Sequence, residues 1–62
     1  MINNLKIFRE KNNISQMQLA NELGISQQAI NKWETGESLP RADKLLQLAE
    51  ILGCTVDELL KE

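Results

Sequence analysis

Gln27, Gln28, Asn31, Lys32 and Thr35 are the side chains of this 62-residue chain best placed to act together. Successive residues of an α-helix turn by about 100°, so over 27–35 these five fill one side, while Ser26, Ala29, Ile30 and Trp33 cluster on the other. The first face carries amides, a hydroxyl and an ammonium, groups that bind by hydrogen bonds and charge. Catalysis is not expected of them. The chain has no His, no Ser or Cys stands with a base and an orienting group, and so short a chain offers little cleft to exclude water. A single Cys makes no internal disulfide, and without His there is no zinc set, so no cofactor or metal is expected and Cys54 reads as a small core hydrophobe.

Two elements must hold that face in place. Ser15-Gln16-Met17-Gln18 is a capping-box pattern, which predicts a helix from Gln16. Leu19, Ala20 and Leu23 line one side of it, and Gly24 can take the positive φ that ends it. Ile25 is a buried-type residue in the turn, and Ser26 can cap a second helix over 27–35. A small residue such as Ala20 is needed where two helices cross closely, and Gly24 where the chain bends by roughly 90–120°. The order Gln16, Leu19, Ala20, Leu23, Gly24, Ile25, Ile30, Trp33 meets the demands of a helix-turn-helix, with Ala20, Gly24, Ile30 and Trp33 fixing the angle.

The remainder reads as support within one domain, 1–62. A domain of this size buries only about 60% of its unfolded surface, so modest stability is expected. Phe8 and Trp33 are the only aromatics, which leaves the core to Leu, Ile and Ala and favours helices. The start, MINNLKIFREK, has no long apolar run; neither a signal peptide nor a membrane span is expected, and the chain is expected to stay in the cytoplasm. A first helix is predicted over 3–12, with Leu5, Phe8 and Arg9 on one side, and Ile14 tucked in before Ser15. Pro40 biases Leu39 towards an extended conformation and the next helix starts beyond it. Leu45, Leu48, Ala49 and Leu52 mark a fourth helix over 42–52, ended by Gly53, with Asp43 suiting its dipole. Thr55 and Glu58 form a second capping box, opening a short last helix from which Leu59 and Leu60 can reach inwards. The fold class is all-α, five short helices in one compact domain.

Laid out this way, the chain resembles the Cro/repressor-type helix-turn-helix family, also called the XRE family, of bacterial and phage transcription regulators. The matching pieces are LKIFREKNNISQMQLANELGIS, QQAINKWETGESLPR and DKLLQLAEILGCTVDELL, together nearly the whole chain. The resemblance implies a lambda-repressor-like DNA-binding domain and a sequence-specific transcriptional regulator that occupies an operator as a repressor. It implies that the helix after Ser26 lies in the major groove of double-stranded DNA, and it marks Gln16, Gln27, Gln28 and Lys32 as DNA-contacting. It also marks Arg9 and Glu34 as an ion pair joining the first and third helices. A Gln can bond adenine N6 and N7 together, which suits Gln27 and Gln28 to base contact. Gln16, at a helix N-terminus, suits a phosphate, as do Arg41 and Lys44 at the start of the fourth helix. Asn31 and Thr35 complete the candidate DNA-binding set.

Charge sets limits on that reading. The chain is acidic at net −2, but residues 1–36 hold four basic and three acidic groups, +1, while residues 37–62 hold three basic and six acidic groups, −3. Where the family often carries Lys or Arg after the third helix, this chain has Glu37. Few phosphates can be neutralised, so non-specific affinity should be weak and specific contacts important. The acidic second half favours an alternative, a protein-interaction module such as an antitoxin or anti-repressor. One helix reads only a few base pairs, so a weak homodimer, cooperative on a palindromic operator, is expected, with its contact near Val56 and with Leu60, Ile51 or Leu46 beside it.

Overall fold

The computed structural model describes residues 4–61. Its elements are α1 (Leu5–Lys11), α2 (Gln16–Leu23), α3 (Gln27–Thr35), α4 (Ala42–Leu52) and α5 (Val56–Leu60). The described residues contain no strand. None of these helices is long and apolar enough to cross a membrane.

Helix boundaries follow local signals. In α2 the Ser15 hydroxyl accepts from the Gln18 N–H at 3.1 Å while the Gln18 side chain accepts from the Ser15 N–H at 2.8 Å, so two otherwise orphaned donors are satisfied reciprocally. Thr55 and Glu58 repeat the arrangement at α5. Gly24 closes α2 at φ 69° and Gly36 closes α3 at φ 82°, left-handed conformations that a side chain would strain. The first helix is shorter than 3–12. Asn4 is its cap, Asn3 lies outside the described residues, and Asn12 and Asn13 turn the chain away, Asn13 at φ 56°, which Asn tolerates better than most residues.

Every helix supplies one fully buried side chain to a single core: Leu5, Leu19, Ile30, Leu48 and Leu59 are each 0% exposed. Ala20, Leu23, Trp33 and Leu52 join them, with Phe8, Ile14, Ile25, Leu45, Ala49, Ile51 and Cys54 half-buried around the rim. At about 1.5–3 kcal/mol for each large apolar side chain removed from water, this burial holds five helices that are individually too short to persist. The expectation that Leu59 and Leu60 both turn inwards is corrected here. Adjacent helical residues diverge by about 100°, so α5 buries Leu59 and leaves Leu60 40% exposed. The same geometry separates Leu46 from Ile51 by about 140° around α4, so they flank opposite sides of it and Leu46 stands exposed.

Two helix C-termini are also held from the ends of α1. The Asn4 amide donates to the carbonyls of Glu58 and Lys61, both at 2.7 Å, and the Asn12 amide donates to Phe8 O at 2.8 Å and Leu52 O at 3.1 Å. Carbonyls at helix C-termini have no intrahelical donor, so these contacts tie α4 and α5 to α1.

Candidate nucleic-acid interface

The α3 surface is built on its buried side. Ile30 and Trp33 are sunk in the core against α2, whose Ala20, 2% exposed, lets the two helices approach. Ser26 caps α3 by accepting from the Ala29 N–H at 3.2 Å, so its first turn is ordered. With that face anchored, Gln27, Gln28, Asn31, Lys32 and Thr35 all stand exposed. Gln28, Asn31, Lys32, Thr35 and Glu37 line one open depression.

Beneath this surface lies a polar chain. Arg9 Nε donates to Glu34 Oε2 at 2.6 Å and Nη2 to Oε1 at 3.3 Å, while Nη1 donates to the Ile14 carbonyl at 2.9 Å. The side chains of the pair are 10% and 5% exposed. The hydrogen bond to Glu34 holds the Arg9 guanidinium above its ordinary pKa, outweighing the opposing effect of burial, and the charges of Glu34 and Glu10 add to the shift. Glu34 Oε1 also accepts from Gln16 Nε2 at 2.9 Å. The Gln16 oxygen then faces Gln27, whose Nε2 reaches it at 3.4 Å. Among the described residues no buried side-chain polar atom lacks a partner.

These contacts sort the remaining candidates. Gln16 is half-buried and one of its two amide N–H groups is committed to Glu34, so its position is set by the ion pair. Thr35 donates its hydroxyl to Lys32 O at 3.2 Å, leaving it chiefly an acceptor outwards. Lys44 lies outside the depression: its ammonium donates to the Leu23 carbonyl at 3.1 Å and to Gln47 Oε1 at 3.4 Å, closing the last turn of α2 beside the Gly24 bend. Arg41 is the exposed N-cap residue of α4, makes no capping bond and also lies outside the depression. Sequence reasoning treated Glu37 only as a charge. Its place follows from Gly36, because the left-handed cap directs the Glu37 and Ser38 N–H groups back to Lys32 O at 2.9 and 3.3 Å and keeps Glu37 against the end of α3. Cys54 is half-buried and free, and burial pushes its thiol pKa up, with the Glu58 charge adding to the effect.

Five helices on one core, with α2 and α3 joined by a three-residue bend and α3 displaying a polar outer face, define the lambda-repressor-like helix-turn-helix class. A helix-turn-helix family model matches residues 5–59, and the chain belongs to that family, in its Cro/repressor or XRE branch. This is a family of DNA-binding regulators and not an enzyme class. The chain is 39% identical over 56 residues to the HTH-type transcriptional activator BcrR of Enterococcus faecalis, covering 90% of this chain and 28% of that protein. It is 41% identical over 51 residues to the cryptic phage CTXphi transcriptional repressor RstR of Vibrio cholerae, covering 82% of this chain and 46% of the relative. Over 57 residues it is 39% identical to the repressor protein C2 of Salmonella phage P22, covering 92% of this chain and 26% of that repressor. The chain thus spans less than half the length of these relatives.

Proposed function

We propose that this chain is a sequence-specific DNA-binding transcriptional regulator that reads the major groove with α3 and represses by occupying an operator. The observation that carries the reading is the α3 outer face: Gln27, Gln28, Asn31 and Lys32 exposed on a helix whose opposite side is locked by Ile30 and Trp33. Rigid presentation matters, because base readout depends on hydrogen-bond geometry and a loosely held amide loses its discrimination to entropy. Gln27 and Gln28 are the base readers, with Asn31, Lys32 and Thr35 continuing the surface. Gln16 contributes a backbone contact and orients Gln27; Arg41 and Lys44 are the outlying phosphate ligands. Relatives named as repressors and one named as an activator support regulation by DNA binding, and the phage repressors among them favour the repressor reading.

The Cα trace spans 24 Å along its longest axis and carries a single helix-turn-helix, one reader where two successive major grooves on one DNA face lie about 34 Å apart. A weak homodimer, cooperative on a palindromic operator, supplies the second reader, with its contact beside α5 where Val56 is half-buried and Leu60 exposed. The setting is the cytoplasm. The alternative, an interaction module with DNA contact secondary, draws on the −3 charge of residues 37–62. Selection of bound sites from random DNA decides between them: a two-fold-symmetric motif is expected, whereas no enrichment, with no retention on heparin at low salt, overturns the regulator reading. A selected non-symmetric site saturated by one protomer with a Hill coefficient of one overturns the dimer.

A further inference from the structure

We propose that Glu37 is a specificity-determining residue of the α3 surface, its carboxylate accepting from the exocyclic amino group of a cytosine and penalising DNA that offers no such donor there. The inference rests on the reading of α3 as the helix that enters the major groove.

Glu37 lines the same open depression as Gln28, Asn31, Lys32 and Thr35. Its backbone is not free to swing away, since its N–H is bonded to Lys32 O at 2.9 Å through the left-handed Gly36 cap. Its carboxylate, in contrast, is uncommitted: among the described residues it takes part in no side-chain hydrogen bond and no ion pair within 4 Å, although Lys32 lines the same depression. The carboxylate of Glu34, on α3 itself, is already engaged by Arg9 and Gln16.

An ionised carboxylate can only accept. Major-groove edges are mostly acceptors too: guanine N7 and O6, adenine N7 and thymine O4, with donors only at adenine N6 and cytosine N4. Adenine sets its N7 acceptor beside N6, a pattern that suits an amide such as that of Gln28, which can donate and accept together. Cytosine presents N4 without an adjacent acceptor on the same base, which suits a group that only accepts. Facing guanine or thymine, Glu37 meets only acceptors and nearby phosphates with no donor to offset the repulsion, and facing adenine its one donor, N6, comes with the N7 acceptor beside it. Specificity is a difference between affinities, so a charge that weakens most sites and spares one kind sharpens recognition. This also accounts for an acid at the edge of a surface meant for a polyanion.

The test is random-site selection with the intact chain and its Glu37→Ala, Glu37→Gln and Gln28→Ala variants, with binding to unrelated DNA titrated across a salt series. Glu37 is exposed and hydrogen-bonds only through its backbone, so these variants should melt like the parent. The parent motif is expected to hold a C·G pair whose preference falls about five- to twentyfold in Glu37→Ala, at a position distinct from the one relaxed by Gln28→Ala. Unrelated DNA should bind severalfold more tightly to Glu37→Ala, and Glu37→Gln should accept adenine at the relaxed position. An unchanged motif with uniformly tighter binding would show repulsion alone and overturn base readout by Glu37, as would no change at all. If the parent enriches no motif, α3 reading itself fails and takes this role with it, an outcome distinct from an intact motif indifferent to Glu37.

Discussion

The Arg9 guanidinium lies on the Glu34 carboxylate through two hydrogen bonds, 2.6 Å from Nε to Oε2 and 3.3 Å from Nη2 to Oε1, joining α1 to α3 across 25 positions of sequence. With both side chains nearly shielded from water, each is the condition for burying the other. Arg9→Met or Glu34→Leu alone should each cost about 3–5 kcal/mol in urea denaturation, and the double variant less than the sum. Additive losses would show that the two charges do not depend on each other. Glu34→Leu should also release Gln16, seen as faster exchange of its side-chain amide protons.

Two leucines of α4, two residues apart, should behave oppositely. Leu48 is 0% exposed and Leu46 62% exposed. Leu48→Ala leaves a cavity where the five helices meet and should cost about 2–5 kcal/mol. Leu46→Ala should stay within about 0.5 kcal/mol. Comparable thermal shifts in the two variants would contradict the burial of α4 described above.

Readout and holding should separate in binding experiments. Gln28→Ala should lower affinity for the selected site by about 1–3 kcal/mol and relax one base pair. Lys44→Ala should weaken all sequences alike and flatten the salt dependence, and it should also lower stability by about 1 kcal/mol because Leu23 O loses its donor. A variant that loses stability while keeping the full salt slope would reduce Lys44 to its intramolecular role.

Cys54 makes stability fall on the alkaline side. The folded state holds the thiol pKa above its ordinary value of 9.0, by burial first and the Glu58 charge second. A raised folded pKa means that the neutral thiol is favoured on folding. The contribution is therefore fully present below the unfolded value and is lost as pH rises from 9.0 through the folded pKa. The melting temperature should decline over that window in the parent and decline less in Cys54→Ala, compared as shifts from each protein's own value at pH 7. Identical pH profiles would remove the thiol as the cause. At pH 8, a disulfide reagent should label the folded chain more slowly than the urea-unfolded one.

Asn4 should matter more than its place near the start of the chain suggests. Its amide closes the end of α5 through Glu58 O and Lys61 O. Asn4→Asp removes both donors and sets a carboxylate against two carbonyls, so amide exchange should rise over 56–60 while α2 and α3 keep their protection. Protection lost uniformly along the chain would mean that α5 does not open on its own.

Much of this domain is written locally. Ser15 with Gln18, Ser26, Gly24, Gly36, Gly53 and Thr55 with Glu58 act on backbone groups within a few residues, which is why the bounds of α2, α3 and α4 were readable before any packing was known. The 3.6-residue period likewise separates the Ile30–Trp33 side of α3 from its Gln28–Lys32 side without reference to a partner. What only the tertiary structure decided concerns side chains whose partners lie far away in sequence. Lys44 finds Leu23 O 21 positions back, Asn12 finds Leu52 O 40 positions on, and Asn4 finds the carbonyls of α5 54 and 57 positions on. No local pattern encodes these contacts, because they arise only when packing brings a helix end with unsatisfied carbonyls next to whatever donor is there. The choice of Leu59 over Leu60 has the same origin. Both fit an apolar stripe, and the core had room on one side of a single short turn.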